Sequence, residues 1–334
     1  MKILILVNSI RKLDFMGNHV LFANGFLQRG WDVYYGHVNS ISTANYKVFC
    51  DIAPVVEIIQ SNSIDVEIRH ECIEKFDLVW VMNQPHPSLE KEVWQILWML
   101  SQRCTFVNSV ESMLFLNNKN NLGQIIPLEH LVESYASNDF EYLWSIYQSR
   151  INERWIVKPP NGGCGSDVFL LEPGQSNSRA ILQSMTGNSV SKLEMGEFNL
   201  IGLQNKYCIL QRYATSVNEG EKRVILAGGA IIAQHGRRSA PGDHRSNLTL
   251  GGELVSASLT KDESQLCLRL AQNFLNYGIR FAGIDMSYPY VLEVNIVNPG
   301  GLYDVLSLTG IDYTSIAIDN ILSTCGHSLA DGLS

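Results

Sequence analysis

Glu293 and Asn295 stand two residues apart inside the apolar run YVLEVNIVNPGG, residues 290–301. Successive side chains on a strand point to opposite faces, so Leu292, Val294 and Ile296 would share one face and the carboxylate and the amide the other. A carboxylate and an amide side by side cost desolvation unless something pairs with them. Asp285 ends the preceding run, and antiparallel pairing across a short Ser/Tyr/Pro turn could put all three oxygen-bearing side chains on one face. That set suits a hard cation: Mg²⁺ usually takes one or two protein carboxylates together with substrate phosphates. A sheet with a solvated polar face is the other reading of the same pattern.

Four further pieces carry chemistry. In KPPNGGCGSDV, Lys158 follows a predicted strand, and Gly162, Gly163 and Gly165 come soon after. Glycines let the backbone approach a ligand, and successive N–H groups can cradle phosphate oxygens. The lysine precedes the glycines and no G-K-[ST] follows, so this is not a Walker loop; a plain hairpin turn is the alternative. Glu221 and Arg223 open another strand and alternate onto one face, with an ordinary charged strand entry as the alternative. Arg237, Arg238 and Arg245, followed by Asn247, crowd a Gly/Pro/Ser loop. An arginine cluster in an acidic protein suits bidentate capture of carboxylate or phosphoryl oxygens, with a solvated basic loop as the alternative. Lys119 closes a predicted helix and by itself reads as an exposed lysine.

The elements that must position these groups divide into two halves. In the first, buried runs at 2–8, 31–38 and 76–84 alternate with amphipathic patterns at 17–30 and 88–103, and a short strand is predicted at 104–109. Strand–helix alternation predicts a parallel α/β unit. No GxGxxG follows the first strand, so a dinucleotide site is not supported. After about residue 150 the pattern becomes hairpins plus a helix at 262–278, an α+β pattern, with an irregular polar insertion at 187–206.

Composition narrows the class. The 334 residues are 46% hydrophobic with a net charge of −8, so no basic excess is available for sequence-independent nucleic-acid binding. Cys50, Cys72, Cys104, Cys164, Cys208, Cys267 and Cys325 are odd in number and contain no CxxC, which argues against a disulfide framework or a zinc site. MKILILVNSI is read as a first buried strand, not a signal peptide, no apolar run reaches transmembrane length, and a cytoplasmic protein is expected.

In this order and spacing the pieces resemble the ATP-grasp ligases, and within them the bacterial glutathione synthetases, over nearly the whole chain. The resemblance is most specific in KPPNGGCGSDVFLL, YCILQRYATSVNEGEKRVILAGG, HRSNLTLGGE and FAGIDMSYPYVLEVNIVNPGG. It implies an N-terminal α/β substrate domain over 1–112, a linker and lid over 113–206, and a catalytic core over 207–330, with ATP gripped between antiparallel sheets. Lys119 and Lys158 match the family's phosphate-binding lysines, and Gly162, Gly163, Gly165 and Ser166 its phosphate loop. Gln211, Arg212 and Tyr213 match the strand beside the adenine, and Glu221 the ribose contact. Asp285, Glu293 and Asn295 match the Mg²⁺ ligands, with Mn²⁺ as an alternative ion. Arg223, Arg238, Arg245 and Asn247 match the groups around the acyl phosphate, and Arg237 aligns equally well in place of Arg238. Asn298, Gly300 and Gly301 fall on the loop expected near the incoming amine.

What the resemblance implies is an ATP-dependent carboxylate–amine ligase acting through an acyl phosphate on small-molecule substrates, as a homo-oligomer. γ-Glutamylcysteine plus glycine is the leading pair, another amino acid or γ-glutamyl compound the alternative, and a non-catalytic ATP-binding module the third reading. No protein nucleophile is required, so Cys164 in the loop is not expected to be catalytic; oxidative inactivation there is the open question. Asn83 stands where comparable synthetases carry an arginine, and VNPGG replaces their Ser-Pro-Thr segment. Both departures bear on the substrates rather than on the mechanism. Asp304 is a further acidic group in that region that no spacing assigns.

Overall fold

The protein is described from a computed structural model over residues 1–163, 165–187, 206–240, 246 and 251–326. Three sheets organise those residues. The first contains β1 (Lys2–Val7), β2 (Asp32–His37), β3 (Ser42–Ala44), β4 (Lys47–Val55), β5 (Arg69–Cys72) and β6 (Leu78–Val81). Its order is β3-β4-β2-β1-β6, with β5 paired to β4. The predicted parallel unit is its centre, β2-β1-β6; β4 runs antiparallel to β2 and turns the sheet mixed. The strand predicted at 104–109 is reduced to one bridge between Phe106 and Val79, because the chain turns away into the helix capped by Ser109.

The second sheet is antiparallel: β7 (Ser134–Ser137), β8 (Trp155–Lys158), β9 (Phe169–Leu171) and β10 (Cys208–Arg212), in the order β7-β10-β8-β9. Helices Phe140–Ser149 and Ser178–Met185 cover one face, and Trp155, Leu143, Tyr147 and Leu182 form a small core of its own. The third sheet, also antiparallel, is β11 (Glu221–Ala227), β12 (Ala230–Arg238), β13 (Glu253–Val255), β14 (Phe281–Ser287) and β15 (Tyr290–Asn295), in the order β13-β12-β11-β14-β15. The β11–β12 turn falls at Gly228 and Gly229, whose φ values of +54° and +79° are the mirror-image turn that matches strand twist. Helix Lys261–Asn276 packs on this sheet and starts from a capping box between Thr260 and Glu263.

The first and third sheets share their hydrophobic cores. Phe22 from helix Asn18–Gln28, Trp80 from β6 and Phe281 from β14 meet edge-on or tilted, with centroids 4.3–5.5 Å apart. One buried amide joins the two sheets. Asn108 Oδ1 accepts from the backbone N–H groups of Arg280 and Phe281 at 2.8 and 2.9 Å, and its Nδ2 donates to the carbonyls of Phe281 and Ile296, both at 2.7 Å. Every hydrogen-bonding position of the side chain is used. Asn108→Ala strands buried backbone groups at both ends of the β14–β15 hairpin, so a loss of about 3 kcal/mol is expected in urea unfolding; a loss below about 1 kcal/mol would show that water replaces the amide. No helix among the described residues is long and apolar enough to cross a membrane.

Candidate active site

Register assembles the site on the third sheet. Asp285 lies directly opposite Glu293 and Gly283 opposite Asn295, so the hairpin brings Asp285, Glu293 and Asn295 to one face. Asn295 Nδ2 donates to Asp285 Oδ2 at 3.4 Å. On the next strand Arg223 pairs with Asp285, and on the one after it His235 opposes Arg223 and Arg237 opposes Glu221. The same face therefore carries three carboxylates, Asp285, Glu293 and Glu221, and two guanidiniums, of which Asp285, Arg223 and Arg237 are buried. Arg223 Nη2 donates to Asp285 Oδ2 at 2.6 Å and Nε to the other oxygen, while its Nη1 donates to the Pro299 carbonyl. Arg237 Nη1 lies 3.5 Å from Asp285 and 3.7 Å from Glu221.

The second sheet supplies the facing wall. Lys158 ends β8 and its Nζ donates to Gln211 Oε1 on β10 at 3.0 Å. Lys119 Nζ reaches Glu293 Oε1 at 3.0 Å and also donates to the Gly162 carbonyl. Between these walls lies a cleft that is partly open to solvent. Lys119, Lys158, Gly162, Gly165 and Ser166 line one end. Ile156, Val168, Leu292, Ala214 and Val217 supply apolar wall, with Gln211, Arg212 and Tyr213 from the end of β10 and the carboxylates of Glu221, Asp285 and Glu293 from the third sheet. Gly163 and Asn295 line an adjoining polar cleft with Gln84, Asn117, Asn118 and Asn161. Burial and the neighbouring Lys119 lower the Lys158 ammonium to about 8. Burial and the Asp285 carboxylate push Glu221 up to about 7. Burial alone would raise Asp285, but Arg223 and Arg237 outweigh it and hold the carboxyl below its ordinary range.

One alignment choice is corrected. Arg238 does not face the cluster: its side chain is 68% exposed and pairs at 3.8 Å with Glu253 on the edge strand. Arg237 occupies the interior position, because neighbouring residues on a strand point to opposite faces and only Arg237 shares the face of Glu221. Arg245, Asn247 and Cys164, and residues 188–205 of the insertion, lie outside the described residues. Asn298, Gly300 and Gly301 do not line the cleft between the two sheets; Gly301 lies against Arg223, and Asn298 Oδ1 accepts from Asn18 Nδ2 at 3.2 Å. Gly283 makes room for that loop, since a Cβ there would come within 2.5 Å of Pro299 Cβ. Sequence reasoning missed Asn108, His235 and Ser246, whose Oγ donates to Glu221 at 2.6 Å. The only available signal was alternation, which puts His235 on the face of Arg237.

Among the described residues no three His, Cys, Asp or Glu side chains cluster as a metal site in their own right. Two carboxylates and one amide, each already near a cation or a donor, make a short oxygen set. That fits a hard divalent ion which also takes phosphate oxygens, and does not fit a protein-only metal cage.

The comparisons agree with this geometry. D-cycloserine synthetase superposes with a TM-score of 0.60 over 100% of both chains at 13% identity. A RimK domain protein ATP-grasp from Sphaerobacter thermophilus superposes with a TM-score of 0.61 over 96% of this chain and 100% of that one, also at 13% identity. These likenesses define the fold as ATP-grasp. The sequence model of prokaryotic glutathione synthetase, ATP-grasp domain, matches residues 129–310. Glutathione synthetase from Prochlorococcus marinus subsp. pastoris is 29% identical over 259 residues, covering 76% of this chain and 78% of that protein. Glutathione synthetase from a Nostoc species is 24% identical over 326 residues, 93% of this chain and 94% of that protein. The chain belongs to the prokaryotic glutathione synthetase ATP-grasp family. It is an ATP-dependent ligase of the glutathione synthetase kind.

Proposed function

We propose that the chain joins the carboxylate of γ-glutamylcysteine to the amine of glycine, converting ATP to ADP and phosphate. The observation that carries this reading is the pairing of opposite charges across the cleft. Lys119 and Lys158 on one wall face Glu293, Asp285 and Asn295 on the other, with Arg223 and Arg237 buried behind Asp285. ATP would lie along the β10 edge, its base against the apolar wall and Gln211, Arg212 and Tyr213, its ribose at Glu221, and its phosphates between the lysines and the Gly162–Ser166 loop. Asp285, Glu293 and Asn295 would hold Mg²⁺, or Mn²⁺, which neutralises phosphate charge when bound. The substrate carboxylate attacks the γ-phosphate; Lys119, Lys158, Arg223 and Arg237 offset the charge that develops. The amine then attacks the acyl phosphate, a C–N bond forms and inorganic phosphate leaves. Arg245 and Asn247 are assigned to the same anion by alignment alone.

A specific observation favours a second reading of the acyl donor. The adjoining polar cleft is lined by Gln84, Asn117, Asn118 and Asn161, and Asn83 Oδ1 is spent on the Asn8 backbone N–H at 3.3 Å. Among the described lining residues only Lys119 is cationic, so a γ-glutamyl compound with a less anionic end also fits. Incubation with ATP, Mg²⁺ and paired carboxylates and amines, following ADP and product mass, separates the readings. γ-Glutamylcysteine with glycine should give ADP and tripeptide. Turnover only with other pairs selects the second reading, and ATP binding without turnover across the panel would overturn both.

Lys158 adds a pH dependence. Its ammonium in the free protein titrates at about 8, so the charge that attracts phosphate is present below that pH and lost above it. kcat/KM for ATP should fall roughly ten-fold per pH unit above the pKa. Lys158→Arg, which keeps its charge, should flatten that limb even if activity is lower. An unchanged limb in the variant would assign the titration elsewhere.

A further inference from the structure

Lys119 ties the two walls of the ATP cleft together through its side chain. Its Nζ lies 3.0 Å from Glu293 Oε1 on β15 and also donates to the Gly162 carbonyl. The backbone around it is held separately. Lys119 N donates to the Pro160 carbonyl at 3.1 Å, and Asn118 Nδ2 to Asn161 Oδ1 at 2.6 Å. Asn117 Oδ1 accepts from the backbone N–H of Ile296, just beyond β15, at 3.1 Å. The segment is thus anchored to both walls, and the flexible lysine stem is the part that can swing.

The bridge can be reached from outside. The Glu293 side chain is 28% exposed. Among the described residues, Lys119, Gly162 and Glu293 line both the ATP cleft and the adjoining polar cleft. An ion or a phosphate entering either cleft therefore meets the bridge. A partly solvated pair of this kind is weak, so little is lost when its members part. An ammonium and a divalent ion on the same small carboxylate would stand a few ångströms apart and repel. Glu293 can serve one of them well, not both.

We propose that Lys119 and the divalent ion compete for Glu293, and that ATP resolves the competition by offering the ammonium phosphate oxygens instead. This rests on the ligase reading above, which assigns the ion to Asp285, Glu293 and Asn295, and it adds an order of events. Without nucleotide, Lys119 holds Glu293 and weakens the grip on the ion. With nucleotide, the ammonium turns to the phosphates and Glu293 to the ion. The ion is thereby taken up as its nucleotide complex. Each charge has a partner of opposite sign in both arrangements, so none is stranded by the exchange. Lys158 has a different attachment: its Nζ donates to Gln211 Oε1, within the second sheet, at 3.0 Å.

The test is Mn²⁺ binding to the full chain without nucleotide, read from the free-ion signal in electron paramagnetic resonance. Lys119→Met should bind Mn²⁺ about ten-fold more tightly than the wild type, the size expected for removing a unit charge a few ångströms from a divalent ion. Its affinity for ATP should fall. Lys158→Met, which removes a charge of the same sign without breaking the bridge, should change Mn²⁺ affinity by about three-fold at most, because a more distant charge is screened. Mn²⁺ affinity that is unchanged or lower in Lys119→Met, or that rises equally in both variants, overturns the proposal. A second measurement needs no variant. Acetylation of Lys119 in the wild type, read by peptide mass spectrometry, should rise when Mn²⁺ saturates the nucleotide-free protein and fall when ATP is added with it. Labelling that does not respond to Mn²⁺ overturns the proposal even if Lys119→Met fails to fold. Absence of Mn²⁺ binding with and without ATP overturns the metal assignment and the exchange together. Absence of turnover with every substrate pair, while the exchange is seen, overturns the ligase reading alone.

Discussion

Glu293→Gln is expected to remove turnover while the protein stays folded. Glutamine keeps the length and an acceptor oxygen, so Lys119 retains a neutral partner where it now has an ion pair at 3.0 Å. The Glu293 side chain is 28% exposed, and a partly solvated pair of this kind contributes at most about 1 kcal/mol to stability. Unfolding by heat or urea should therefore shift little. Activity has no such protection. Glu293 is one of two carboxylates on the hairpin face, and removing its charge weakens the hold on a divalent ion and leaves the cleft with excess positive charge before ATP arrives. A fall in kcat of roughly 10³ is expected, by analogy with loss of one preorganised electrostatic group in other enzymes. Raising Mg²⁺ should recover part of it. ADP release and product mass are the readouts; near-normal kcat in a folded variant would remove Glu293 from the site.

Asp285→Asn should behave differently and cost stability first. Asp285 is 5% exposed and holds Arg223 through two hydrogen bonds with Arg237 at 3.5 Å. Asparagine keeps the shape but leaves two buried guanidiniums without their shared carboxylate, with only Glu221 and the more distant charge of Glu293 near them. Breaking one side of a buried ionic cluster costs about 3–5 kcal/mol, because the surviving charges are left uncompensated. The pH sign follows from the depressed carboxyl. Asp285 contributes stability above its unfolded pKa of about 4, and that contribution is lost as pH falls through the lower folded value. The gap between wild type and variant in urea should be widest near neutrality and close in acid. A gap that widened in acid would mean that Asp285 is not the ionised partner. Replacing Arg223 by Met in the Asp285→Asn background should restore part of the stability but no activity.

The two variants separate roles that look alike in a string of letters. Glu293 sits near the mouth and Asp285 on the buried floor, although both are acidic residues of one hairpin. Nothing in FAGIDMSYPYVLEVN distinguishes them; their depth follows from the strands beside them. Likewise the mixed first sheet was not legible. β4 contains Asp51 and Pro54, and proline in a run counts against a strand, yet Pro54 pairs with Tyr34 in register with its neighbours. The long helices were legible because each has a sustained apolar stripe: the patterns at 17–30, 88–103 and 262–278 became Asn18–Gln28, Glu90–Ser101 and Lys261–Asn276.

What the sequence by itself determined is local and covalent in origin. A strand alternates, so Glu293 and Asn295 had to share a face, as did Glu221 with Arg223 and His235 with Arg237. The colinear order of lysines, glycine loop, arginines and acidic hairpin carried the family, since each motif keeps its place along the chain. What only the tertiary structure decided is which face looks inward. Alternation separates Arg237 from Arg238 but is symmetric between them; the register of β12 against β11, and the burial of that face under the NPGG loop, broke the symmetry in favour of Arg237. The four bonds of Asn108 and the approach of His235 Nε2 to Asp304 Oδ2 at 3.7 Å are legible only there too. Each owes its environment to residues distant in sequence, brought close because the first and third sheets close on one another through a shared core.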